Sequence, residues 1–255
     1  GANSRRTSVD YISASTNGGL VVPGVYALSN SASTPSAPYE SAYTIGVDGF
    51  FARGSFGYKN FLYVDVTGRQ DVSSTLPAGN NTYFYPSATL SFVFSELIDV
   101  DAISFGKLRL NTAEVGSSAP AQALLNSYNM GTAFAGTSLA SAPSTSNNPD
   151  LLPESTKSTE VGVEMMFFNN RVGLDVSLYD QTSYNQIMPT KVSSSTGSIY
   201  KYVNAGVINN KGVELSLSAT PIRTDDFEWK MDLNWTKNQN MVESLYGDLE
   251  ALQLA

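Results

Sequence analysis

The chain has 255 residues, with 15 Lys+Arg against 23 Asp+Glu, a formal net charge of −8, no His and no Cys. This acidic balance disfavours a nucleic-acid partner, because phosphate binding depends on clustered basic residues. The missing His and Cys exclude disulfides, catalytic thiols, most catalytic triads and His-bearing zinc sites, and we expect no cofactor; chemistry that uses carboxylates alone remains open.

No window of the sequence reaches the roughly 20 consecutive apolar residues of a membrane-spanning helix. Strands are predicted instead, because apolar and polar residues alternate along much of the chain. The pattern is clearest where Val213, Leu215 and Leu217 interleave with Glu214 and Ser216, which gives one apolar and one polar face. In chain order, the predicted strands lie near 45–56, 62–69, 89–94, 107–111, 156–167, 172–179, 211–221 and 229–236.

The connections between these strands are alternately short and long. Tight turns are predicted at 57–60, 168–171 and 223–226, where Gly, Asn or Asp suit a sharp change of direction, and a looser link at 96–104. Long connections rich in Ser, Thr, Ala and Gly run over about 72–83, 114–155 and 180–207. This asymmetry favours an all-β, antiparallel, up-and-down sheet from a transmembrane barrel over a soluble β-sandwich, although the strand pattern alone fits both.

Several ordered motifs also resemble one known family. They include Tyr83-Phe84-Tyr85-Pro86-Ser87, Phe92-Val93-Phe94-Ser95-Glu96 and Ser104-Phe105-Gly106-Lys107-Leu108-Arg109, followed by Asn148-Pro149-Asp150, Phe167-Phe168-Asn169-Asn170-Arg171, Asn210-Lys211-Gly212-Val213-Glu214 and Ala219-Thr220-Pro221-Ile222. Each motif is weak alone, but their order and spread over about 50–242 are specific. The chain therefore resembles the barrel region of SusC/RagA-like, TonB-dependent outer-membrane transporters of Bacteroidetes.

The resemblance implies an active importer in the bacterial outer membrane, which takes up a bulky nutrient, either a glycan, an oligosaccharide or a peptide. It also implies a SusD-like surface lipoprotein and the TonB complex as partners, and outer-membrane lipid around the barrel. Family members are several times longer and carry an N-terminal plug and a TonB-contacting segment, so we expect this chain to be a piece of such a protein.

The resemblance and the strand pattern together predict three regions. Residues 1–43 are expected to form an extracellular loop region, 44–242 a barrel segment of about eight strands, and 243–255 the start of the next loop. Short turns are expected on the periplasmic side and long loops on the extracellular side.

Other candidate sites are weaker. The acidic pairs Asp99/Asp101 and Asp225/Asp226 offer carboxylate oxygens for calcium, but acids at strand ends commonly just face solvent. Six tyrosines in or beside the long connections could stack on a ligand or simply pack locally: Tyr26, Tyr39, Tyr128, Tyr184, Tyr200 and Tyr202. The sequence assigns no residue to substrate binding, catalysis or metal binding.

Two functions from other classes remain open at this stage. One is a soluble β-sandwich module that binds glycans, which would fold its apolar faces together between two sheets. The other is a glycosidase that uses paired carboxylates, whose separation the sequence does not give.

Overall fold

The computed structural model describes residues 1–131 and 133–245. Three short 3-10 helices (Leu28–Asn30, Phe94–Glu96 and Ser194–Thr196) interrupt an otherwise all-β chain. The strands are, in chain order, β1 (Ala2–Ser13), β2 (Asn17–Leu20), β3 (Ser31–Ser33), β4 (Tyr39–Tyr58), β5 (Leu62–Ser73), β6 (Thr82–Phe92), β7 (Ile103–Ser117), β8 (Asn129–Met130), β9 (Ala140–Ser141), β10 (Thr145–Ser146), β11 (Glu154–Phe167), β12 (Val172–Tyr184), β13 (Ile187–Lys191), β14 (Tyr200–Asn204), β15 (Val207–Arg223) and β16 (Glu228–Ser244).

Nine of these strands form one antiparallel sheet in the order β1-β4-β5-β6-β7-β11-β12-β15-β16. All eight predicted strands are present in it, and neighbours in the sheet follow one another along the chain, apart from short strands inside the long connections. The sheet is therefore the predicted up-and-down meander. Within the described residues it stays open, with β1 and β16 at its two edges.

Strand β1 is the one strand of the nine-stranded sheet that was not predicted. It corrects the prediction that residues 1–43 form a loop region. Its residues pair with the upper half of β4, from Ala2 opposite Phe50 to Ser13 opposite Tyr39. The strand was missed because neither of its faces is consistently apolar: Ser4, Arg6 and Ser8 lie on one side and Arg5 and Thr7 on the other, so no apolar alternation is present to detect. The extracellular placement of this region stays a prediction.

The predicted asymmetry of the connections is confirmed. The links 59–61, 93–102, 168–171 and 224–227 all lie at one end of the sheet, because every strand is antiparallel to its neighbours. The links 14–38, 74–81, 118–153 and 185–206 lie at the other end; three of these are long, whereas 74–81, with eight residues, is shorter than the ten-residue link 93–102. Two of the tight turns, 59–61 and 168–171, use left-handed backbone, as at Asn60 (φ 57°) and Asn170 (φ 62°), a conformation that Asn tolerates well.

The predicted apolar face is also confirmed. Leu174 pairs with Leu217, and Leu217 pairs with Leu233, so the three side chains lie side by side on one surface. Val176 and Leu215 form the next row of the same surface. In the described part of the chain these residues belong to a single sheet and no second sheet stacks on it, so the β-sandwich alternative is wrong.

The exposed area agrees with this arrangement. The chain exposes 16933 Å², whereas a compact soluble protein of this mass exposes about 11,000 Å². Apolar side chains such as Leu178, Leu233 and Trp235 contribute to this area, because they stand exposed on the apolar face. No helix in the described residues is both long and apolar enough to cross a membrane.

The last predicted region, 243–255, falls mostly outside the described residues. Strand β16 extends to Ser244, so the first two positions of this region are strand and not loop. The prediction for 246–255 lies outside the part of the chain that the structure describes.

Candidate functional site on the polar face and its loops

The polar face of the sheet carries a network of charged side chains centred on Arg109. The guanidinium of Arg109 donates to both carboxylate oxygens of Asp175, at 2.7 and 2.9 Å. It also lies 3.4 Å from Glu164, which forms a 2.7 Å ion pair with Lys107. The side chains of Arg109 and Glu164 are only 22% and 25% exposed, so the network is partly sheltered from water.

Glycine makes this network possible. Arg109 is in β7 and Asp175 is in β12, with β11 between them, so the guanidinium must cross a strand to reach its partner. Gly162 is the β11 residue that pairs with Arg109 on one side and Ser177 on the other. A Cβ at Gly162 would lie 2.9 Å from the guanidinium, so a larger residue there would push the arginine away from this crossing.

A second polar cluster lies on the same face, nearer the long loops. Arg69 forms a 2.9 Å ion pair with Asp71, which is 6% exposed, and donates to the hydroxyl of Tyr85 at 2.7 Å. The Tyr85 hydroxyl in turn donates to Asp71. Tyr83 stacks on Tyr85 with ring centroids 5.8 Å apart, and so joins this cluster to the loops above it.

The loops 74–81, 118–153 and 185–206 pack together at the end of the polar face. Their centre is a small apolar core of Leu76, Ala119, Ala123 and Leu151, drawn from two different connections, and Tyr83, Leu124, Ile187 and Tyr202 pack around this core. We call this set the loop core. Because Leu151 is fully buried in it, the loops are held together by the same burial of apolar area that stabilises a soluble domain.

Two asparagine side chains fasten the loops further. Asn204 accepts from the Leu152 amide and donates to the carbonyl oxygens of Leu152 and Asn185, at 2.8, 2.8 and 2.9 Å. Asn147 donates to the carbonyl oxygens of Gln122 and Leu125. An amide side chain can make these bonds because it carries both a donor and an acceptor.

A cavity of about 470 Å³ opens between the loops and the upper part of β4. Its lining contains hydroxyl, amide, aromatic and aliphatic side chains and no ionisable carboxylate or amine: Tyr43, Thr44, Ile45, Ser74, Thr75, Ala121, Gln122, Leu124, Leu125 and Ser127. A volume of this size is typical of small-ligand sites. Sequence reasoning missed this cavity, because its walls come from three separated segments with no shared motif.

The structure separates the six tyrosines considered from the sequence. Tyr202 packs against the loop core, and Tyr39 makes an edge contact with Tyr11 at 6.2 Å between ring centroids, which is local packing. Tyr26 and Tyr128 are 90% and 73% exposed. Of the remaining two, Tyr184 is the last residue of β12, and Tyr200 begins β14 inside the connection between β12 and β15. None of the six lines the cavity.

The two acidic pairs considered for calcium lie at the end of the sheet opposite the loops. Asp99 and Asp101 are in the link between β6 and β7, and Asp225 and Asp226 are in the turn between β15 and β16. Within 1–131 and 133–245, no three acidic, His or Cys side chains gather as a metal site would require.

The sequence matches the family described as TonB dependent receptor-like, beta-barrel, over residues 2–248. TonB-dependent receptor P26 of Formosa agariphila is 31% identical over 228 residues, which cover 86% of this chain and 23% of that protein. TonB-dependent receptor SusC of Bacteroides thetaiotaomicron is 27% identical over 210 residues, or 78% of this chain and 21% of the relative. The chain thus spans less than a quarter of the length of these relatives.

Solved structures show the same fold. The RagAB peptide importer in its closed-closed state superposes with a TM-score of 0.84 at 22% identity, over 97% of this chain and 28% of the chain compared. The siderophore receptor PirA of Pseudomonas aeruginosa gives a TM-score of 0.52 at 14% identity, over 79% of this chain and 36% of that one.

Proposed function

The chain belongs to the TonB-dependent receptor-like β-barrel family, and on that premise we propose that the whole protein imports a bulky nutrient with energy derived from TonB. The sheet is then part of an outer-membrane barrel, with short turns on the periplasmic side and long loops on the extracellular side. Its apolar face meets lipid and its polar face lines the lumen.

One observation carries the proposal: the polar face leads directly to a packed set of extracellular loops with an uncharged cavity at its mouth. Ion pairs such as Arg109–Asp175 keep the lumen wall hydrophilic, which a water-filled path for a polar nutrient requires. The loop core holds the cavity in shape before a ligand arrives, which lowers the entropy lost on binding. The nutrient is a glycan, an oligosaccharide or a peptide.

The proposed partners follow from the same family. A SusD-like surface lipoprotein would sit over the loop end, and the TonB complex would act on a segment outside these 255 residues. The similarity to TonB-dependent receptor SusC and to the RagAB peptide importer supports this assignment of partners. Affinity purification of the tagged full-length protein from its own membrane should recover a lipoprotein encoded beside it; recovery of the transporter alone would contradict this part.

We also propose that the protein is not an enzyme. The half-buried carboxylates of the polar face, Glu164 and Asp175, are held by Lys107 and Arg109 and are not left as a free acid and base pair. Reducing-sugar release from polysaccharides incubated with the purified protein would overturn this proposal.

The proposed import is tested in a strain that lacks the full-length gene. The deletion should abolish growth on one oligosaccharide or peptide nutrient, and the parent gene should restore it only when TonB is intact. Tyr43→Ala, which opens the cavity wall, should slow uptake, whereas Tyr26→Ala, the same truncation outside the cavity, should not. Uptake that persists without TonB would contradict the proposal.

A further inference from the structure

Three lysines stand on the lipid-facing side where the apolar surface ends towards the long loops. They are Lys157 in β11, Lys211 in β15 and Lys237 in β16, and all three are exposed. Lys211 and Lys237 are each one side-chain repeat beyond an apolar residue, Val213 and Trp235 respectively. We call these three lysines the cationic rim.

The strand register places the cationic rim on one line. The row of paired residues that starts at Lys157 in β11 passes through Thr182 and Asn209 and reaches Met241 in β16. Lys237 lies four residues from Met241, on the side of the short turns. Four residues of about 3.3 Å over three strand spacings of about 4.8 Å give a slope of roughly 43°. Barrel strands tilt by about 35 to 45°, so the line of lysines runs parallel to the membrane plane.

The cationic rim carries a net positive charge, although the whole chain has a formal net charge of −8. Lys211 pairs with Asp180 at 3.1 Å, and the other oxygen of Asp180 accepts from Asn209 at 2.7 Å. Among the described residues, Lys157 and Lys237 form no ion pair. Glu114, which lies across from Lys157, accepts a hydrogen bond from Ser155 and keeps its negative charge. Three lysines against the two carboxylates Asp180 and Glu114 leave a formal charge of +1 at this level.

On the same face and at the same height, the strands β1 and β4 at the other edge of the sheet differ from β11–β16. There Arg6 makes two hydrogen bonds with Asp48, at 2.8 and 2.9 Å, and Ser4 donates to the same carboxylate. This arginine is therefore neutralised within the protein. The excess of positive charge is confined to β11–β16.

We propose that the cationic rim binds the phosphate groups of a glycolipid in the outer leaflet of the outer membrane. The rim is continuous with the apolar surface that meets the acyl chains, and lysine stems are long enough to lift their ammonium groups to the headgroup level. A lysine beside an anionic lipid surface strengthens binding by about fivefold. This proposal rests on the lipid-facing assignment and not on the import proposal, because a barrel with no transport activity would keep the same rim.

The test uses the full-length protein in detergent micelles doped with a diphosphorylated glycolipid, or with the same lipid after its phosphates are removed. Bound lipid is counted by native mass spectrometry. The triple variant Lys157→Gln, Lys211→Gln, Lys237→Gln should bind the phosphorylated lipid at least about tenfold more weakly than the parent. A matched triple variant, Lys59→Gln, Lys191→Gln, Lys201→Gln, removes the same charge elsewhere and should bind like the parent.

Heat-modifiable migration on gels checks that each variant is folded. If the triple variant does not fold, Lys237→Gln alone replaces it, and its affinity for the phosphorylated lipid should fall by about fivefold. Equal binding by rim and control variants would overturn the proposal, as would equal binding of the dephosphorylated lipid. Displacement of the lipid by modest inorganic phosphate would also overturn it, since the site would then recognise free phosphate.

Discussion

At the residue scale, the lumen wall depends on long side chains that lie flat over glycines. Arg109 crosses Gly162, and Tyr179 lies over Gly212 in the same way. Laid flat, these side chains cover the strand backbone without projecting into the lumen. The wall can therefore be polar or aromatic without narrowing the path that the proposed nutrient would take.

The ion pairs of Arg109 give a first prediction. Arg109→Gln leaves Asp175 and Glu164 partly sheltered without their main cationic partner, and we expect a loss of about 1 to 3 kcal/mol in the free energy of unfolding. Urea titration of the full-length barrel in lipid vesicles measures it. Lys230→Gln, which removes a largely exposed charge on the same face, should change stability by no more than about 0.5 kcal/mol. Equal effects would contradict the structural role of the network.

Gly212 gives a second prediction, which uses a double-mutant cycle. A Cβ at this position would lie 2.4 Å from the Tyr179 ring, so Gly212→Ala should cost about 1 to 3 kcal/mol through overpacking. The same change made in Tyr179→Ser should cost little, because the obstructing ring is gone. If Gly212→Ala is equally costly in both backgrounds, its effect comes from the strand backbone and not from the ring.

At the element scale, the alternation of the sequence predicted the eight lipid-crossing strands and, for six of them, which residues lie on each face. The prediction succeeded because each of those strands has lipid on one face and water on the other. An apolar side chain such as Leu217 is therefore favoured on one face and a polar one such as Ser216 on the other. Strand β1 lies beside the upper part of β4, beyond the apolar surface, and both of its faces mix polar residues with a few apolar ones such as Val9 and Ile12. No period-2 contrast was present there for the sequence to reveal.

The loops were the part that sequence could not predict. Their core joins Leu76 to Ala119, Ala123 and Leu151 across gaps of tens of residues, and no local pattern reports such pairings. The bond from Asn204 to Leu152 spans 52 residues. The cavity could not be predicted for the same reason, because it forms only where these loops pack beside β4.

The hydrogen bonds of Asn204 lead to a third prediction. Asn204→Ala removes three hydrogen bonds to backbone groups, each worth about 0.5 to 1.5 kcal/mol net, so local opening should become easier. Hydrogen exchange followed by mass spectrometry should show protection falling by about tenfold in the segments 150–153 and 185–188, with the strands unchanged. Asn129→Ala, at an exposed loop position, is the control. Faster exchange throughout the sheet would show that Asn204 stabilises the barrel and not the loops.

At the scale of the whole molecule, the two faces are reversed relative to a soluble protein. Apolar side chains are exposed on the outer face, while ion pairs and hydrogen bonds fill the inner one. The apolar surface of β4 runs from Phe50 to Tyr58, eight residue steps of a tilted strand, which is roughly 20 Å across the membrane and close to the apolar band of about 25 Å in outer-membrane barrels.

The central claim is that this apolar face meets lipid, and arginine scanning of one row of the sheet tests it most directly. Leu217 and Leu233 pair with each other on the apolar face, and Ser216 and Asn234 pair on the polar face, joined by a 2.8 Å hydrogen bond. Arginine near the bilayer midplane costs about 2 to 4 kcal/mol, whereas the lumen is wet.

The measurement is the yield of heat-modifiable, folded barrel in outer-membrane fractions for arginine at each of the four positions in the full-length protein. We predict a strong loss for Leu217→Arg and Leu233→Arg and yields near the parent for Ser216→Arg and Asn234→Arg. Tolerance of arginine at Leu217 and Leu233, or equal losses at all four positions, would contradict the claim that this face lies against the membrane.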